Sequence, residues 1–262
     1  MLKIGVFDSG LGGLTVVKAM TKVIKGAKLF YIADTKNAPY GEKTALEILQ
    51  FSLDITEYFL KNHAIDVLIV ACNTATSVAI ASLRQKYPQL IIIGTEPGLK
   101  PAILATKSNA IGVLATSATL KGEKYLELSQ KLFSFTSLKL YEQACVGLVE
   151  QIEKGEANST KTYTMLQEWL RPMKKNCVDT IVLGCTHYPL VSHIIQDIMK
   201  TPITLIDTGD AISKHLLSEC IKIGHKNRGE LEIFIYSSDI IDNSSIIRLL
   251  DDIQSIQIIN IV

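Results

Sequence analysis

Two stretches of the sequence carry a cysteine in matching surroundings. One reads Asp66-Val67-Leu68-Ile69-Val70-Ala71-Cys72-Asn73-Thr74, the other Asp179-Thr180-Ile181-Val182-Leu183-Gly184-Cys185-Thr186-His187. In each, an Asp stands six residues before the Cys, an apolar run follows, and the thiol is succeeded by side chains that hydrogen-bond. Such thiols can do acid–base work. A cysteine of pKa about 8.5 needs roughly 2 kcal/mol to ionise at pH 7. A helix N-terminus returns about 0.3–1 kcal/mol of that, and up to ~2 kcal/mol in favourable geometry. His187, two residues past Cys185, titrates near neutrality and is suited to exchange a proton beside it. Asp8 is a candidate for a similar part near Cys72. Two thiols in matched positions point to chemistry on two sides of one substrate.

The elements that must position these thiols are legible around them. An apolar run of this length without helical spacing reads as a strand buried on both faces. Each Cys then sits at the strand's carboxyl end, the edge at which open α/β sheets bind ligands. Short strands are predicted at Leu2 to Phe7, Lys28 to Ala33, Val67 to Ala71, Leu90 to Ile93, Ala110 to Leu114, Leu138 to Tyr141, Thr180 to Leu183 and Thr204 to Ile206. Amphipathic stretches such as Leu46 to Leu60 and Thr162 to Leu170 lie between them. In the second, Tyr163, Leu166, Trp169 and Leu170 recur at helical spacing, a core-facing stripe. The alternation predicts an α/β protein built of doubly wound parallel sheets. Ile4-Gly5-Val6-Phe7-Asp8-Ser9 also resembles Ile111-Gly112-Val113-Leu114-Ala115-Thr116. Its offset of 107 residues is close to the 113 that separate the cysteines, which points to two duplicated halves. Glu96-Pro97-Gly98 is the expected junction. The tail from Asp210, with a strand-like Leu231 to Tyr236, is expected to return to the first half. The predicted domains are therefore residues 1–96 plus 210–262, and 97–209.

Asp8-Ser9-Gly10-Leu11-Gly12-Gly13 follows the first strand, and a glycine-rich strand-to-helix turn exposes amides that favour an anion. It lacks the Gly-Lys-Ser/Thr of a P-loop and carries Thr15 where a dinucleotide fingerprint needs a small residue. Asp34 mimics a ribose-binding acid, so a nucleotide-binding or regulatory module stays as an alternative. Asp34 to Gly41 is a polar loop at the same sheet edge, a plausible ligand contact. Cys145, Cys177 and Cys220 lack polar neighbours and read as small hydrophobes. Cys185 and His187 could both bind zinc, but three or four ligands at recognisable spacing are missing, so no metal is expected. No Cys-x-x-Cys supports a redox dithiol.

Composition narrows the field. A hydrophobic fraction of 47% supports a packed core, and a formal net charge of +1 gives no general attraction to nucleic acid or anionic membranes. Five cysteines at irregular spacing make a poor disulfide framework. No apolar run approaches the roughly 18 residues of a membrane span, and Asp8 comes too early for a signal peptide. A reducing cytoplasm with free thiols is expected.

Taken together, Gly5 to Gly13, Pro39-Tyr40-Gly41, Ala71 to Ala75 and Leu183-Gly184-Cys185-Thr186-His187-Tyr188-Pro189-Leu190 resemble the glutamate racemases. The resemblance spans most of the chain in order. His after the second Cys-Thr, where aspartate racemases usually carry Glu, favours glutamate over aspartate racemisation, which remains the other enzymatic alternative. The resemblance implies a cofactor-independent racemase supplying D-glutamate for peptidoglycan. It implies two α/β domains related by a pseudo-twofold with the substrate between them, and glutamate as the only required partner, with a homodimer left open. It implies that Cys72 removes the α-proton of D-glutamate and Cys185 that of L-glutamate. Asp8, Ser9, Tyr40, Gly41, Asn73, Thr74, Thr186 and His187 fall on its substrate-contacting motifs. Thr116, aligned with Ser9 by the repeat, is a further contact, and Glu150 falls where some members place an acid near the motif histidine.

Overall fold

A computed structural model describes residues 1–96, 98–134, 136–239, 246, 250 and 256–260, the last five by backbone alone. Pro97, expected at the junction, lies outside the described residues. The strands are β1 (Leu2–Asp8), β2 (Ala27–Ala33), β3 (Val67–Val70), β4 (Ile91–Gly94), β5 (Ala110–Ala115), β6 (Lys139–Ala144), β7 (Thr180–Gly184), β8 (Thr204–Ile206), β9 (Leu231–Ser237) and β10 (Ile256–Asn260). The chain divides into two compact units, Met1–Thr95 with Gly209–Val262, and Glu96–Thr208.

The first unit holds a 6-stranded sheet in the order β10-β9-β2-β1-β3-β4, and the second a 4-stranded sheet in the order β6-β5-β7-β8. Every pairing is parallel. The fold is thus α/β with two parallel sheets, as the strand–helix alternation predicts. The tail strand β9 pairs with β2 from Ala27↔Leu231 to Ala33↔Ser237, and β10, which the sequence reading did not anticipate, extends the same sheet. Both sheets are buried on two faces by residues of alternating parity. In the first, Ile4, Val6, Tyr31, Val67 and Ile69 face one cluster, and Phe7, Phe30, Ile32, Leu68 and Val70 the other. In the second, Leu114, Ile181 and Leu183 oppose Ile111, Val113 and Val182. This double burial is why the strands read as unbroken apolar runs.

The two units repeat each other in detail. The order β2-β1-β3-β4 matches β6-β5-β7-β8. Ile4 pairs with Val67 as Ile111 pairs with Thr180, and each cysteine lies five residues beyond that partner. A Cβ on Gly5 would lie 2.9 Å from Ile65 Cδ1 and 3.0 Å from Phe59, and one on Gly112 would lie 2.7 Å from Met173 Sδ. The same strand position is therefore glycine in both units, because a neighbouring side chain presses against the central strand there. Asp66 and Asp179 sit at the opposite ends of their strands from the cysteines and are structural. Asp66 accepts from Lys3 N at 2.8 Å. Asp179 accepts from Thr106 Oγ1, Lys107 N, Ser108 N and Thr180 Oγ1 at 2.7–3.0 Å. The predicted stripe of the second amphipathic stretch lies on helix Thr160–Lys175, where Leu166 and Leu170 are fully buried and Tyr163 and Trp169 pack against the same cluster.

Candidate active site

In each sheet the central strand has its sequence-adjacent neighbour on one side and the cysteine strand on the other. The strand order reverses there, and α/β sheets take ligands at the carboxyl edge of such a reversal. In the first unit β1 delivers Asp8 and Ser9 to that edge, and β3 delivers Cys72. The Cys72 carbonyl starts helix Asn73–Lys86, and its Sγ accepts from Ala75 N at 3.4 Å. The thiol is thus an N-cap, at the positive end of a helix, where a thiolate is stabilised. Ser9 Oγ is 3.9 Å from Cys72 Sγ. Asn73 and Thr74 are buried beside it, and Asn73 Nδ2 has no hydrogen-bond partner among the described residues. A buried donor left without a partner is costly, which fits an acceptor supplied by a ligand.

The glycine turn works differently from the sequence reading. Asp8 is fully buried, and its Oδ2 accepts from Gly10 N at 3.2 Å and Gly13 N at 3.1 Å. Two of the turn's amides are taken by the protein's own Asp8 side chain. A Cβ on Gly13 would come within 2.6 Å of Asp8 Cβ and 2.8 Å of the Tyr31 hydroxyl, so only glycine fits. Asp34 likewise departs from a ribose-binding role. Its carboxylate accepts from Tyr40 OH at 2.6 Å, from Asn37 Nδ2 at 3.0 Å to both oxygens, and from Ser238 Oγ at 2.9 Å. These bonds commit it to the Tyr40 loop, which removes the ground for the nucleotide reading. The Tyr40 O–H is donated to Asp34 and is not available to donate to a ligand. Burial first, then the adjacent Asp34 carboxylate, hold this phenol protonated far above its ordinary range. Gly41 follows in the 3-10 turn Tyr40–Glu42.

In the second unit Thr116 ends β5 and caps the short helix Ser117–Lys121, with its Oγ1 accepting from Thr119 N at 3.2 Å. Cys185 follows β7 and is buried. Its Sγ lies 3.7 Å from His187 Nδ1, and Thr186 Oγ1 lies 3.4 Å from the same nitrogen. The other ring nitrogen, Nε2, meets Glu153 Oε1 at 2.5 Å. Burial alone would push the His187 pKa down, but Cys185 and Glu153 outweigh it and raise it well above the ordinary value. An imidazolium with one N–H toward sulfur and one toward carboxylate satisfies both partners. The two thiols therefore sit in different surroundings, Cys72 at a helix N-terminus and Cys185 beside the His187 ring.

The acid that meets the motif histidine ring is Glu153. Glu150 and Glu153 both lie on helix Leu148–Glu153, and the later one reaches the imidazole. Glu150, Glu153 and Glu156 crowd the local sequence, and nothing in their spacing singles one out. The remaining cysteines differ in kind. Burial holds the Cys145 thiol far above its usual range, and burial, then Asp66 and Glu219, push Cys220 up to about 11. Cys177 is exposed. Among the described residues no helix is long and apolar enough to cross a membrane.

Comparison with known proteins identifies the family of the chain. Residues 4–216 match the family model described as Asp/Glu/Hydantoin racemase. The chain is 58% identical over 260 residues to a glutamate racemase of Sulfurovum sp. (strain NBC37-1), covering 99% of this chain and 98% of that one. Among solved structures it resembles a glutamate racemase isoform from Bacillus anthracis with a TM-score of 0.85 and 29% identity, over 98% of this chain and 97% of the other. It also resembles the glutamate racemase of Francisella tularensis solved with D-glutamate, with a TM-score of 0.83 and 27% identity over the same shares. With the family model matched over residues 4–216 and 58% identity over nearly its whole length to one member, the chain belongs to the aspartate/glutamate/hydantoin racemase family, among its glutamate racemases.

Proposed function

We infer that this chain interconverts L- and D-glutamate without a cofactor, one thiol from each unit serving one face of the α-carbon. The observation that carries the reading is the equivalence of Cys72 and Cys185, each five residues beyond the β-strand partner of Ile4 or Ile111. From L-glutamate, the Cys185 thiolate takes the α-proton. The Cα–H bond breaks, an S–H bond forms, and the electron pair moves into the α-carboxylate. The Cys72 thiol then gives its proton to the other face, which leaves Cys72 as thiolate and D-glutamate as product. The reverse reaction exchanges the roles.

An amino-acid α-hydrogen is a very weak acid, so removal needs a base in hydrogen-bond range and donors preorganised where enolate charge develops. The unpartnered Asn73 amide, with Ser9, Thr74, Thr116 and Thr186, supports that role. His187 Nδ1 lies 3.7 Å from Cys185 Sγ, and the Ala75 amide is donated to Cys72 Sγ, so each sulfur has a donor group beside it. Asp8, through its hold on the Gly10 and Gly13 amides, shapes the turn that presents Ser9. The physiological setting that follows is the cytoplasm, with D-glutamate delivered to peptidoglycan synthesis and no nucleic acid or membrane partner. Purified protein incubated with L-glutamate and no added cofactor should lose optical activity to zero by circular dichroism. Unchanged rotation at all pH values and enzyme concentrations would reject the proposal, and faster loss with L-aspartate would transfer it to the aspartate reaction.

A further inference from the structure

We propose that Ser238, just beyond β9, is a positioning residue of the glutamate site that sets the Tyr40–Gly41 loop through Asp34, a role that rests on the glutamate reading above. The loop leaves β2 at Asp34 and makes two successive 3-10 turns, Thr35–Asn37 and Tyr40–Glu42. Inside the loop, Asp34 is the anchor for Asn37 and Tyr40. The tail of the chain holds that anchor from outside. Ser238 Oγ donates to Asp34 Oδ1 at 2.9 Å and accepts from Lys36 N at 3.0 Å, so one hydroxyl bridges carboxylate and loop backbone. Ser238 N donates to Ala33 O at 3.0 Å, and Thr35 Oγ1 lies 2.9 Å from Ser237 Oγ.

Asp34 is 4% exposed, so its oxygens are satisfied by these donors rather than by water. Without the Ser238 hydroxyl, Oδ1 keeps only its share of Asn37, and Lys36 N loses its acceptor. The carboxylate is then free to turn, and Tyr40 moves with it. Residues more than 200 positions apart in sequence thereby fix one wall of the substrate site.

Ser238→Thr and Ser238→Val differ by one hydroxyl at nearly constant shape, which separates hydrogen bonding from packing. Titration calorimetry with D-glutamate should give wild-type-like binding for the Thr variant. The Val variant should bind about ten- to a hundredfold more weakly, the range for one lost bond to a charged group. The thermal midpoint of the Val variant should fall below that of the Thr variant, because the bond is lost in the free protein as well. If Ser238 acts through Asp34, Ser238→Val should add little to the loss caused by Asp34→Asn, a coupling that a double-mutant cycle reads directly. Equal affinities of the Thr and Val variants, or a full additional loss in the Asp34→Asn background, would overturn the assignment while wild-type racemisation stood. No racemisation by the wild type would overturn the glutamate reading itself.

Discussion

Replacing Glu153 by Gln tests how Cys185 is made reactive. Gln keeps an oxygen to accept from His187 Nε2 but removes the charge that faces it at 2.5 Å. His187 is 1% exposed, so water cannot take the carboxylate's place. A hydrogen bond to a charged partner contributes about 1.5–3 kcal/mol. If that stabilisation reaches the transition state through the imidazolium, kcat/KM falls roughly ten- to a hundredfold. L- and D-glutamate have equal free energy in water, so kcat/KM must fall by the same factor in both directions, while the individual kcat values are free to diverge. The pH profile carries the sharper signature. In the wild type Cys185 and Glu153 raise the His187 pKa against the opposing effect of burial. Losing one of the two partners lowers it, so the imidazolium is lost at lower pH. The alkaline limb of the profile should therefore shift toward neutrality. Initial rates by circular dichroism from pH ~6 to ~9 cover the range in which a histidine titrates. A Glu153→Gln profile that superimposes on the wild type in height and position would refute the argument.

Further outcomes follow from the same contacts. Cys72→Ser and Cys185→Ser should each lower turnover by about 10²–10⁴, the usual range for a lost acid–base group, whereas Cys145→Ser should retain activity because burial keeps that thiol protonated. Asp179 is held at about 2: burial pushes its pKa up, but bonds from Thr106, Lys107, Ser108 and Thr180 outweigh it. Its folded value lies below its unfolded one, so its stabilisation is full above the ordinary carboxyl range and disappears as pH falls toward 2. Asp179→Asn should accordingly lower the denaturation midpoint at neutral pH, with the gap closing in acid. His63 stacks on Phe30 at 4.1 Å and contacts Tyr58, Phe59 and Tyr236, and its Nε2 has no partner among the described residues. Burial, then Lys3, lower its pKa, so wild-type stability should drop as pH falls below 6.5, and His63→Leu should flatten that drop in urea titrations.

The parts of the molecule that declare themselves in the sequence are those set by local pattern. Strands buried on two faces leave apolar runs, and duplication leaves the same run twice, so Cys72 and Cys185 could be placed at equivalent edges before any coordinates. The parts that stay hidden depend on where side chains meet after folding. Glu153 is one of three nearby acids, and only the approach of its helix to the motif turn selects it. Ser238 meets Asp34 across 204 residues, a contact that β9 creates by joining the edge of β2. Asp8, a candidate acid–base partner for Cys72, also accepts from the Gly10 and Gly13 amides, a pairing that its place in the sequence does not declare. The Tyr40 hydroxyl faces Asp34 for a similar reason: its buried partner lies six residues back in the same loop.

The central claim is that separate thiols remove and return the α-proton, and isotope transfer tests it most directly. L-glutamate converted in deuterated water, sampled while little product has formed, should yield D-glutamate carrying deuterium at Cα. The remaining L-glutamate should still carry hydrogen, because the thiol that delivers the new proton has equilibrated with solvent and the one that removed the old proton faces the other side. Mass spectrometry of the separated enantiomers reads both pools. Product that keeps its original hydrogen, or deuterium entering the recovered L-glutamate as fast as D-glutamate forms, would mean that a single base serves both faces.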